Sequence, residues 1–131
     1  MKNSNDLLKE IIAAAEEKHA ESPEIIDVRQ KVDYTDYVII LSGRSDRQVK
    51  TIAEHIEDKL HKKKIVPVSV EGVNNSQWIL IDYIDVVIHI FLDEIRQYYD
   101  IESLWLDTPR VDLNAIMSAK SKKIRSKAVL N

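Results

Sequence analysis

Residues 78–91 read Trp78-Ile79-Leu80-Ile81-Asp82-Tyr83-Ile84-Asp85-Val86-Val87-Ile88-His89-Ile90-Phe91, and this stretch decides the fold. Two short runs rich in β-branched and aromatic residues flank a polar interruption, the pattern of two strands joined by a tight turn. With Tyr83-Ile84 as the tip, Trp78 pairs with His89, Leu80 with Val87 and Asp82 with Asp85 on one face. The other face pairs Ile79 with Ile88 and Ile81 with Val86. That second face is wholly aliphatic and is the side expected to meet a core. The first carries Trp78, His89, Phe91 and two carboxylates, whose direct opposition would be repulsive unless a positive charge lies nearby.

Upstream, Tyr37-Val38-Ile39-Ile40-Leu41 is a short apolar run consistent with a buried strand. Gly43 is expected to permit a tight turn into the next element. Ser45-Asp46-Arg47-Gln48 matches a capping box, with Ser45 as N-cap and Gln48 reaching back to it. Val49, Ile52, Ala53, Ile56 and Leu60 then recur at helical spacing, and His61-Lys62-Lys63-Lys64 suits the negative C-terminal end. A first helix, capped by Ser4 or Asn5, runs to about residue 19 with Leu7, Leu8, Ile11, Ile12 and Ala15 on one stripe. Pro23 separates it from a strand near Ile25-Ile26-Asp27-Val28.

A further strand is expected over residues 65–70, where Pro67 implies an edge or a strand start. Gly72 opens a loop, residues 93–100 read as a short helix, and Pro109 closes the domain. The order predicts a single α/β domain with a mixed sheet of about five strands flanked by helices. Its expected span is 1–111, followed by a flexible basic tail over 112–131.

The chain has 131 residues, 44% of them hydrophobic and 31% charged, which are globular values. It lacks cysteine, so disulfides and thiolate zinc sites are excluded. No apolar run approaches membrane-spanning length, and a cytoplasmic protein is expected. The net charge of −3 hides an asymmetry. Residues 1–109 hold 13 basic and 21 acidic side chains, whereas residues 110–131 hold 6 and 1. An acidic body disfavours direct contact with phosphates and suits a basic protein partner. The tail is the part fitted to touch RNA.

Both tryptophans, the one phenylalanine and three of the five tyrosines lie between residues 71 and 105, interleaved with acids. Aromatic rings beside carboxylates on short strands suit gripping a protein surface better than they suit chemistry. In order, the run holds Glu71-Gly72, Trp78-x-Leu80-x-Asp82-Tyr83-x-Asp85, His89-x-Phe91, Arg96-x-x-Tyr99 and Glu102-x-Leu104-Trp105. Upstream stand Thr35-Asp36-Tyr37-Val38-Ile39 and Ser42-Gly43-Arg44-Ser45, then Arg47-Gln48-Val49. Over roughly residues 7–111 the chain resembles the Iojap family, the bacterial ribosomal silencing factors. The resemblance implies a nucleotidyltransferase-like fold and a protein that is not an enzyme and needs no cofactor or metal. It implies binding to the large ribosomal subunit through ribosomal protein fourteen, which blocks joining of the small subunit and represses translation. A part in large-subunit assembly is also implied.

On this basis Trp78 and Leu80 are expected to anchor the partner, with Asp82 and Asp85 pairing with its basic side chains. Tyr83 is expected at the exposed tip. His89 reads first as a buried, hydrogen-bonded histidine, and it shares the partner-binding face. Arg96, Tyr99 and Glu102, at i, i+3 and i+6 in a segment open to a break near Asp100, are expected to buttress the hairpin, with Gly43, Gly72, Phe91 and Trp105 as further structural supports. A homodimer of the free protein would use the hairpin or Tyr37-Val38-Ile39-Ile40.

The alternative of another class is a degenerate nucleotidyltransferase binding nucleotide at the turn Gly43-Arg44-Ser45, where a strand enters a helix N-terminus. Such chemistry needs a carboxylate pair on one strand to hold Mg²⁺. Asp82 and Asp85 flank a turn instead. His19, His55, His61 and His89 are scattered over different elements, which gives a metal site little support.

Overall fold

The structure, a computed structural model, describes residues 4–117 of the chain. Five strands form one mixed sheet in the order β1-β2-β5-β4-β3. They are β1 (Glu21–Asp27), β2 (Tyr37–Gly43), β3 (Ser69–Glu71), β4 (Trp78–Asp82) and β5 (Val86–Leu92). Helix α1 (Ser4–Glu17) precedes β1 and α2 (Asp46–His61) follows β2. After β5 come α3 (Asp93–Tyr99), a 3₁₀ turn (Ile101–Trp105) and α4 (Leu113–Met117). The expected α/β class and mixed sheet are borne out.

β2 and β5 run parallel at the centre, from Tyr37 opposite Val86 to Gly43 opposite Leu92. Every residue of β2 is buried, because a strand covered on both faces must be apolar throughout. That burial corrects the expected self-interface at residues 37–40, which are interior. The apolar stripes of α1 and α2 pack on one sheet face, where Ile52 and Ile56 meet Ile39, Ile79, Ile81, Ile88 and Ile90 in the main core. On the other face Ile26, Val28, Val38, Ile40 and Phe91 form a smaller cluster under Ile95, Ile101 and Trp105.

Several local expectations are corrected. Pro23 lies within β1, at an irregularity between Glu21 and Glu24. β1 is an edge strand, where a missing N–H costs no ladder bond. β3 shrinks to Ser69–Glu71. Ser45 Oγ accepts the Gln48 amide at 3.1 Å, but Gln48 Oε1 takes the Arg44 amide at 2.7 Å instead of that of Ser45. Its side-chain NH₂ donates to the carbonyls of Lys18 and His19, tying the start of α2 to the end of α1. Gly43 lies in β2, and its service is close packing, since a Cβ there would stand 3.0 Å from Val49 Cγ2.

The β4–β5 hairpin has the expected faces but a different register. Trp78 is opposite Phe91, Leu80 opposite His89 and Asp82 opposite Val87. The Tyr83 amide donates to the Val86 carbonyl at 2.9 Å, so the loop is Ile84-Asp85. Moving the tip by one residue shifts each cross-strand pair by two, which preserves the faces. Ile84 accordingly adopts φ 74°, uncommon for a β-branched residue. Asp82 Oδ1 holds the Ile84 amide at 2.8 Å, and the Tyr83 ring turns into the main core, 6% exposed. Burial of that ring and the Asp82 bond offset the strain at Ile84.

Past the sheet, the chain runs beside β1. The Asp27 amide donates to Pro109 and the Val111 amide to Ile25, each at 2.9 Å. Ile116 of α4 is 7% exposed and joins the main core. The packed unit therefore passes the boundary expected at residue 111 and reaches at least Met117. The rest of the expected tail, 118–131, lies outside the described residues. Among the described residues no helix is long and apolar enough to cross a membrane.

Gly72 has φ 89°, and a Cβ there would lie 2.0 Å from the Trp78 carbonyl oxygen. Gly72→Ala should therefore cost more than about 2 kcal/mol, through both φ and the clash. Denaturant unfolding measures this, and a loss within about 0.5 kcal/mol would refute the packing described.

Candidate protein-docking face

The pairing of β2, β5, β4 and β3 arranges the second sheet face in rows. Ile40, His89, Leu80 and Glu71 lie side by side, as do Val38, Val87, Asp82 and Ser69. Ser42, Phe91 and Trp78 make the third row. Cover from α3 and the 3₁₀ turn reaches the cluster around Phe91 and Ile40. Beyond it, Trp78, Leu80, Asp82 and His89 are left half-buried.

A single side chain organises the cover. Arg96 is buried, its Nη1 donating to Ser42 Oγ at 2.7 Å and its Nε and Nη2 to Glu102 Oε2 at 3.0 and 2.8 Å. The expected helical spacing breaks between them. Asp100 is left-handed at φ 46° and ends α3, and the turn that follows swings Glu102 back beneath the guanidinium. Trp105 packs on the smaller cluster. Tyr99 differs from the expected buttress: it is 53% exposed and meets the Trp78 ring at 5.0 Å. Glu102→Ala would leave a buried, uncompensated guanidinium, so a loss of about 3 kcal/mol is expected in denaturant unfolding. A neutral effect would show that Arg96 does not need this partner.

The rings on the open face form one assembly. Trp78 stands 4.7 Å from Phe91 and 5.9 Å from His89, centroid to centroid. Its Nε1–H donates to His89 Nδ1 at 3.0 Å. Trp78 and His89 are thus diagonal neighbours across the strands, not the directly opposed pair of the sequence-based register. Burial pushes the His89 imidazole down to about 4, so it is neutral at physiological pH.

Glu71, Asp82 and Asp85 make no ion pair among the described residues. Asp82 and Asp85 are not opposed. Asp85 also acts through its backbone, its carbonyl accepting the Asp36 and Tyr37 amides at 3.0 and 3.1 Å. Tyr83, expected on this surface, lies on the opposite side of the sheet. Leu104, quoted in the Glu102-x-Leu104-Trp105 motif, is largely exposed on the 3₁₀ turn.

The Gly43-Arg44-Ser45 turn has its own uses for the groups a phosphate would need. The Arg44 and Gln48 amides are taken by side chains, and Arg44 Nε bonds Glu21 Oε2 at 2.6 Å.

The model of the family described as "Ribosomal silencing factor during starvation" matches residues 1–130. The chain belongs to this RsfS family. The match includes the basic segment, which the resemblance over residues 7–111 had left out. A Bacillus subtilis protein named ribosomal silencing factor RsfS is 38% identical over 112 residues, covering 86% of this chain and 95% of the relative. A mouse protein named for mitochondrial assembly of the ribosomal large subunit is 29% identical, covering 72% of this chain and 43% of the relative. A crystal structure from Chromobacterium violaceum matches with a TM-score of 0.77 at 33% identity, covering 79% of this chain and 87% of that one.

The neutral state of His89 gives this RsfS-family chain a pH signature. An unfolded histidine titrates near 6.5, so from there down to about 4 the unfolded chain binds the extra proton. The stability contribution is complete above pH 6.5 and falls with pH, by about 3 kcal/mol across the window. In denaturant unfolding, wild type should lose more stability than His89→Gln between pH 7 and 4. Equal losses would show that the native ring protonates freely.

Proposed function

We propose that this chain represses translation by occupancy. It docks on the large ribosomal subunit through ribosomal protein fourteen and its bulk keeps the small subunit from joining. The observation that carries this reading is the half-covered face where Trp78, Leu80 and His89 share a sheet surface with the acids Glu71 and Asp82, with Asp85 in the adjoining hairpin loop, in a chain of the RsfS family. Apolar side chains at the centre supply desolvated contact, and the acids attract a basic partner. The names of the bacterial and mouse relatives support a ribosomal, large-subunit partner.

Occupancy asks nothing of a catalytic group. Leu80 and Trp78 anchor, Asp82 and Asp85 receive lysine or arginine, and the basic residues of the tail 112–131 add peripheral contact with ribosomal RNA. Without a ribosome, the same half-covered face is the surface a second copy would use.

The test is sedimentation of the protein with separated subunits, followed by a subunit-joining assay. The protein should travel with the large subunit alone and lower the yield of joined ribosomes. The combined Glu71→Gln, Asp82→Asn and Asp85→Asn variant keeps an acceptor for the Ile84 amide while removing three charges. It should associate roughly tenfold more slowly at low salt and with a flatter salt dependence. Failure of wild type to bind the large subunit would sink the reading. Unchanged association of the neutralised variant would remove the acids from it.

A further inference from the structure

Trp78 spends its one polar group inside the protein. The indole N–H can only donate, and it donates to His89 Nδ1 at 3.0 Å. A nitrogen that accepts carries no proton, so a neutral imidazole bonded in this way carries its hydrogen on Nε2. The ring cannot easily turn to exchange the two nitrogens. It stands near-parallel to Phe91, with 11° between the planes, beside Trp78, and next to Ile40 and Leu80 on the neighbouring strands. Nε2 has no partner within the described residues. Among their side-chain polar atoms only the Tyr83 hydroxyl is both buried and without a hydrogen-bond partner, so Nε2 reaches solvent on the open face.

We infer that Trp78 works through His89: it fixes the Nε2–H tautomer, so that the face offers one oriented, neutral donor to a main-chain carbonyl oxygen of the docked protein. This rests on the reading of the face as a protein-docking surface. A carbonyl suits the site better than a phosphate or a carboxylate does, because Glu71 and Asp82 share its sheet face and repel anions. Trp78 is thus a positioning residue as well as an apolar anchor. Its ring fills space, and its N–H chooses which imidazole nitrogen the partner meets.

Two measurements test this. The first is nitrogen NMR of the histidine side chains in the free protein, which distinguishes a protonated from an unprotonated ring nitrogen. His89 should show bare Nδ1 and protonated Nε2, and Trp78→Phe should give a mixture of tautomers. The opposite tautomer in wild type overturns the inference without reference to any ribosome. The second is affinity for the large subunit, with thermal melts to confirm folding. His89→Gln places an amide N–H near Nε2 and should bind within about twofold of wild type, whereas His89→Asn places it near Nδ1 and should bind roughly three- to tenfold more weakly. Trp78→Phe should weaken binding more in the His89 background than in the His89→Gln background, where only the lost ring contact remains.

An equal loss from Trp78→Phe in both backgrounds means that Trp78 acts by its own contact, and it refutes the inference. Equal binding by His89→Gln and His89→Asn does the same. A wild-type protein that binds no large subunit removes the ribosomal reading and the docked carbonyl with it. Failure of the double variant in a protein that does bind removes this inference alone.

Discussion

Everything in this molecule hangs from the parallel pairing of β2 with β5. Seven residues on each strand are matched, and the join is fixed at its start by the Asp85 carbonyl, which accepts the amides of both Asp36 and Tyr37. A parallel pair is interior by nature, since its connections and neighbours must lie to the sides and over the faces. β1 and β4 flank it, and α1 and α2 bury one surface completely. The opposite surface receives only a short helix and a 3₁₀ turn, held by Arg96 to Ser42 of β2. The candidate docking face is what that short cover leaves open.

The sequence made the architecture readable because its periods were clean. An apolar run without alternation marked the interior strand, and 3.6-residue stripes marked both long helices. The two faces of the hairpin were assigned correctly for a simple reason: sliding the pairing by two residues returns each side chain to the face it left. The register itself was not legible. It turned on Ile84 accepting a left-handed backbone, a choice that local rules argue against and that burial of Tyr83 reverses. Tyr83 therefore moved from the expected contact set into the core, and the supposed repulsion between Asp82 and Asp85 disappeared.

Spacing alone could not describe the segment after β5, where the helix breaks at Asp100 as expected. Arg96 and Glu102 do meet, but across a broken helix instead of along one, and Tyr99 is turned out beside Trp78. Periodicity reports on regular elements, and this pair owes its contact to the single left-handed residue Asp100. The bond from Trp78 to His89 was hidden for a related reason. It joins diagonal positions, which become neighbours only once the true register is known.

The strip of chain at residues 109–111 has a role apart from any partner. It lies along the outer border of β1, donating to one backbone group there and accepting from another. The far border, β3, is only three residues long. Neither side of the sheet therefore offers a long bare ladder to another polypeptide. A chain stopped before Pro109 would uncover the Ile25–Asp27 part of that border and leave its backbone groups open to another strand.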